Sequence, residues 1–143
     1  MEIKNKTILA VAPHLDDIEL GVGGTIYKLG KQNTVHYLGL SLPPMVAHDS
    51  FMEEFWKSAF HLGIKKENMI LKNYDPRDLF KDRMEILQLF YDTYKAIKPD
   101  IVFVPNIPAI FMNPMEDPIN LIMAKWWCAM VGMFGASAIQ IHR

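Results

Sequence analysis

Cysteine, an excess of charge and long uninterrupted apolar runs are all scarce in this chain. The one cysteine, Cys128, excludes an internal disulfide and any zinc site made of several thiolates. Its simplest place is as a buried apolar residue. Fifteen Lys and Arg against sixteen Asp and Glu leave a net charge of −1. Binding to phosphate backbones draws on a basic excess that is not there, so nucleic acid is not an expected partner. The longest weakly charged apolar stretch, 121–141, is interrupted by Lys125 and contains Gly, Ser and Gln. It makes a poor bilayer span, and no membrane insertion is expected. Met1-Glu2-Ile3-Lys4-Asn5-Lys6 leads straight into a strand pattern without an apolar leader. A cytoplasmic protein is therefore expected.

What is present is ordinary globular material. The 143 residues are 50% hydrophobic and 22% charged, enough for one domain over 1–143 with a sizeable core. Strand and helix patterns alternate. Thr7–Ala12 is a continuous apolar run ending at Pro13, as expected of a strand buried on both faces. Gly21, Gly23 and Gly24 lead into a short predicted helix over 25–30, and a second strand is expected over Val35–Leu40. Residues 41–50, with Pro43-Pro44, read as a loop. Asp49 or Ser50 is placed to cap a helix over Phe51–Leu62, with Gly63 as its stop. Met69–Leu71 is a short third strand. Met84, Leu87, Phe90, Tyr91 and Tyr94 recur at helical spacing within 82–97, and Ile101–Val104 is a fourth strand after Pro99.

This order predicts an α/β fold, a Rossmann-like three-layer sandwich with a mainly parallel sheet. Ligands of such sheets sit beyond the carboxyl ends of the strands, which directs attention to 13–19, 41–49, 72–78 and the residues after Val104. The most reactive of these is Pro13-His14-Leu15-Asp16-Asp17. A neutral imidazole and a carboxylate are zinc ligands, and a second, adjacent carboxylate can take a proton from the metal's water. The alternative is that Asp16 or Asp17 caps the following helix and His14 is a loop residue. Spacing alone leaves both open. Nucleotide binding through Gly21-x-Gly23-Gly24 is a weaker reading, because the spacing is wrong for it and the carboxylates would repel phosphate.

Ala12-Pro13-His14-Leu15-Asp16-Asp17-Ile18-Glu19-Leu20-Gly21-Val22-Gly23-Gly24-Thr25 closely resembles the opening motif of the zinc-dependent de-N-acetylases of the LmbE-like, or PIG-L, family, which carries proline at the place of Leu15. The resemblance implies that His14 and Asp17 hold zinc and that Asp16 is the general base. It continues through Leu62-Gly63-Ile64. Tyr74-Asp75-Pro76-Arg77-Asp78-Leu79-Phe80 with Arg83-Met84-Glu85-Ile86-Leu87 is similar to the branch found in surface-polysaccharide loci. Lys98–Pro105 resembles the family's fourth strand. About three quarters of the chain, roughly 7–105, is covered. Arg77 is a candidate for binding an anionic or hydroxyl-rich substrate; a salt bridge beside a helix is the competing reading. An arginine that begins the second helix in many relatives falls at Phe51 here.

The resemblance stops after the fourth strand. The family's Asp-Ile-His-x-Asp-His segment is replaced by Asn106–Asp117, and no histidine occurs between His61 and His142. Residues 106–143 hold five of the ten methionines and two of the three tryptophans, but only Glu116, Asp117, Lys125 and Arg143 as charges. Natural divergence is one explanation. A reading-frame change near residue 106 is another, since shifted codons for Ala109–Pro114 permit Asp-Ile-His-Glu-Ser-His; sequencing the coding DNA decides between them. Glu116 or Asp117, then His48, are substitutes for the third ligand, ranked below no ligand at all. His142 requires the tail to fold back, and His36 is expected to be structural. Two functions follow. One is a zinc hydrolase acting on a small N-acetylglucosamine-type sugar conjugate. The other is an impaired relative that binds sugar or forms a homo-oligomer.

Overall fold

The computed structural model describes residues 3–42, 48–105 and 136–140, with backbone alone for 48–49, 105 and 136–140. The chain forms β1 (Thr7–His14), α1 (Asp17–Gly30), β2 (Thr34–Ser41), α2 (His48–His61), a turn of 3-10 helix (Lys66–Asn68), β3 (Met69–Leu71), α3 (Arg83–Ile97), β4 (Ile101–Pro105) and β5 (Ala136–Gln140). The strands make one sheet in the order β3-β2-β1-β4-β5. The first four are parallel, and β5 pairs antiparallel with β4 at the edge. The α/β, mainly parallel architecture expected from the strand–helix alternation is what forms.

β1 is the centre of the sheet because its sequence can be buried on both faces. Ile8, Leu9, Ala10, Val11 and Ala12 are wholly buried, and each large aliphatic side chain so placed contributes about 1.5–3 kcal/mol. Alternation then sorts the two layers. Ile8, Ala10 and Ala12 pack with Ile18 and Ile26 of α1 and Phe55 and Ala59 of α2. Leu9 and Val11 pack on the other side with Ile86 and Phe90 of α3. Helices therefore cover both faces. Asp100 ties the start of β1 to β4: its Oδ2 accepts from the Thr7 N–H at 2.9 Å, and its own N–H donates to the Thr7 carbonyl at 2.8 Å.

Three boundaries depart from expectation. The helix expected over 25–30 begins instead at Asp17 and runs for 14 residues. Gly21, Gly23 and Gly24, read as leading into the helix, lie inside it, and α1 packs closely on the end of α2 at its last residue. A Cβ on Gly30 would come within 2.6 Å of the Leu62 carbonyl oxygen. α2 begins at His48 rather than Phe51, which removes His48 from the expected loop and makes it the first helical residue. Its side chain lies outside the described residues, as do Glu116, Asp117 and His142. β5 is a strand that the composition of the tail did not signal. The other limits hold: Gly63, at φ +79°, closes α2, and Lys98, left-handed at φ 51°, ends α3 just before Pro99.

Candidate metal centre

The sheet order reverses at β1: β2 lies on one side, and β4 returns to the other. In a parallel α/β sheet this leaves a crevice at the carboxyl ends of the central strands. β1 pairs with β4 only as far as Ala10↔Phe103, whereas against β2 it continues to His14↔Ser41. His14, the last residue of β1, is therefore paired with β2 but stands beyond the end of the β4 pairing.

Two contacts hold the turn from β1 to α1. The buried Ser41 hydroxyl donates to the Pro13 carbonyl at 2.6 Å. The buried Tyr37 hydroxyl donates to the Leu15 carbonyl at 2.7 Å. Leu15 is a core residue, 2% exposed, rather than a spacer. It fits because β2 has glycine opposite it; a Cβ on Gly39 would run into the Leu15 side chain.

On this turn His14 and Asp17 face each other. Asp17 Oδ2 accepts from the His14 backbone N–H at 2.8 Å and lies 3.3 Å from His14 Nδ1. The other ring nitrogen, Nε2, lies 3.3 Å from the Pro76 carbonyl oxygen. A carbonyl can only accept, so this contact is a hydrogen bond when Nε2 bears a proton. With Nε2 protonated in a neutral ring, Nδ1 is free to ligate a cation that the Asp17 carboxylate also meets. Two ligands about 2.0–2.1 Å from one tetrahedral ion lie roughly 3.3 Å apart, which is the separation found. The pair fits two corners of a zinc site, with the Pro76 carbonyl in the place where outer partners orient a ligating histidine. Among the described residues no cluster of three metal-ligating side chains forms.

Asp16 occupies the N-cap position of α1, but its carboxylate makes no capping hydrogen bond and is exposed. The capping alternative thus fails for both aspartates: Asp17 turns back onto β1, and Asp16 makes no side-chain hydrogen bond among the described residues. Arg77 adjoins Pro76 in the loop after β3, and is exposed. Its backbone N–H donates to Asp75 Oδ1 at 2.9 Å, while its guanidinium forms no ion pair among the described residues. The salt bridge of the competing reading is absent from that set. Of the four stretches marked by strand-end logic, 13–19 and 72–78 meet at His14 and Pro76. His36 lies within β2, away from this end, and burial lowers its pKa.

Glu19 is the residue that sequence reasoning overlooked. It sits one turn after Asp16, and its Oε1 accepts from the Ser58 hydroxyl of α2 at 3.4 Å. Its Oε2 is buried without a hydrogen-bond partner. Burial pushes the carboxyl's pKa up, Asp16 and Asp17 add to the rise, and hydrogen bonds from the backbone and Ser58 oppose it. The only sequence signal was three carboxylates within four positions.

No protein-family model matches the chain, and no curated protein matches its sequence. Solved structures do resemble the fold. N,N′-diacetylchitobiose deacetylase from Pyrococcus horikoshii, in complex with its inhibitor MPG, aligns with 87% of this chain and 48% of its own, at 24% identity and a TM-score of 0.59. The 4-carboxy-2-hydroxymuconate hydratase GalB from Pseudomonas putida KT2440 aligns with 87% of this chain and 55% of its own, at 20% identity and a TM-score of 0.53. The present chain thus spans about half the length of these structures. The likeness establishes the architecture. One of these neighbours is a deacetylase and the other a hydratase, so the choice of chemistry rests on the residues at the strand ends.

Proposed function

We propose that the chain carries the catalytic half-site of a zinc-dependent de-N-acetylase of the LmbE-like, PIG-L kind, acting on an N-acetylglucosamine-type sugar conjugate. The observation that carries this reading is the 3.3 Å approach of His14 Nδ1 to Asp17 Oδ2, with the Asp16 carboxylate exposed next to it and making no capping bond. His14 and Asp17 hold the ion. When bound, zinc acidifies a coordinated water and polarises a carbonyl. Asp16 takes the proton from the attacking water and returns it to the amine nitrogen as the amide C–N bond breaks, leaving acetate and a free amino sugar. The Arg77 guanidinium, one residue from the carbonyl that faces His14, binds an anionic or hydroxyl-rich part of the substrate. The solved deacetylase with this architecture supports the reading, as does the motif around His14.

Zinc content measured together with acetate release from an N-acetylglucosamine derivative tests it. Stoichiometric zinc that survives dialysis and turnover that a chelator abolishes are expected. Zinc lost on dialysis with no acetate released would favour the second reading, an impaired relative that keeps the fold and binds sugar. That reading draws on the two-donor count among the described residues.

A further inference from the structure

We propose that the loop between β3 and α3 is the orienting scaffold of the His14 ligand, so that metal capture at His14–Asp17 and the order of residues 72–82 form one coupled equilibrium. The inference rests on the zinc reading of the site. Its basis is the Pro76 carbonyl, which meets His14 Nε2 at 3.3 Å from a loop 62 residues further along the chain.

The loop is well anchored at both ends. The Lys72 and Tyr74 N–H groups donate to the carbonyls of Gly39 and Leu40 at 2.8 and 3.0 Å. The Tyr74 hydroxyl donates to the Glu85 carboxylate of α3 at 2.8 Å. Leu79 is buried in the layer that contains Ile86 and Phe90. Between these anchors Asp75–Asp78 is largely exposed and held by local bonds: Arg77 N–H to Asp75 Oδ1 at 2.9 Å and Asp78 N–H to the Asp75 carbonyl at 3.1 Å. Proline at 76 fixes φ there and so narrows the backbone around that carbonyl. An Nε2 proton donated to that carbonyl would hold the plane of the ring and leave Nδ1 as the ligating atom. An outer partner of this kind adds to metal affinity. Linkage then requires the converse, that metal held by Nδ1 tightens the loop.

Pro76 and Tyr74 are positioning residues here, so the test reads affinity and exchange rather than activity. Zinc affinity of the full chain is measured by competition with a chromogenic chelator. Pro76→Gly and Tyr74→Phe are each expected to bind zinc roughly two- to tenfold more weakly, short of the 10–100-fold expected for deleting an outer partner. Two variants are used so that a folding failure of one leaves the other to decide, and melting in chelator checks both. Saturating zinc is expected to slow amide exchange of residues 73–82 severalfold in the unaltered chain. Long-range proton–nitrogen correlation spectra are expected to show His14 with Nε2 protonated and Nδ1 shifted by the metal. Zinc binding with loop exchange unchanged, with both variants at full affinity, or with Nε2 as the ligating atom overturns the inference and leaves the zinc site standing. Failure of the unaltered chain to hold zinc overturns both.

Discussion

The Tyr37 hydroxyl donates to the Leu15 carbonyl at 2.7 Å, and this buried bond joins the middle of β2 to the turn that carries Asp16 and Asp17. Burial is the main reason the phenol's pKa is driven far up, with the Glu19, Asp17 and Asp16 charges acting in the same direction. The hydroxyl therefore keeps its proton and donates at neutral pH. Replacing Tyr37 with Phe leaves the Leu15 carbonyl without its partner and is expected to cost about 1–3 kcal/mol. Urea unfolding in chelator measures this. A loss near zero would show that water takes over the bond.

Two glycines of α1 should respond in opposite directions. At Gly30 a Cβ would approach the Leu62 carbonyl oxygen to 2.6 Å, whereas at Gly24 nothing lies within 4 Å. Gly30→Ala is expected to destabilise by about 1–3 kcal/mol through forced separation of α1 from the end of α2. Gly24→Ala is expected to stabilise by roughly 0.5–1 kcal/mol through helix propensity. Equal effects in denaturant melts would contradict the packing of α1 on α2 described above.

The roles proposed for the three motif residues can be separated by substitution. Asp16→Asn is expected to keep zinc while losing about 10²–10⁴ in kcat, the usual worth of a proton-transfer group. Asp17→Asn and His14→Ala are expected to lose the zinc itself. Metal analysis of the dialysed variants, run beside the deacetylase assay, separates ligand from base. Full turnover in Asp16→Asn would remove the base assignment.

His36 supplies a pH signature away from the metal centre. Burial lowers its pKa below the ordinary 6.5. The unfolded chain therefore binds the proton first as pH falls, and protonation favours unfolding. Stability from this residue is complete above pH 6.5 and declines as pH falls from there towards the folded pKa. Denaturant midpoints across that window are expected to flatten in His36→Gln. An unchanged slope would mean that the ring is solvated in the folded chain.

The central strand, the strand–helix alternation and the motif at its end were legible because each is local. Five successive apolar residues before Pro13 can only be satisfied in a sheet covered on both faces, and a strand so covered leads its next polar residues to the crevice. Glycine spacing misled over the start of α1, where Gly21, Gly23 and Gly24 lie inside the helix, while its end at Gly30 was read correctly. The close approach of Gly30 to the Leu62 carbonyl, 32 residues away in sequence, is invisible to local rules.

By itself, then, the sequence determined the α/β class, the place of β1 and the residue types able to carry metal-assisted hydrolysis, since periodicity and motif are properties of neighbouring residues. Only the tertiary structure decided that Asp17 turns back onto His14 while Asp16 stays exposed without a capping bond, that Leu15 is core, that one carboxylate oxygen of Glu19 is buried, and that the Pro76 carbonyl faces the ring of His14. Those outcomes depend on contacts between segments far apart in the chain, where packing and hydrogen bonding choose among side-chain directions that local sequence leaves equal.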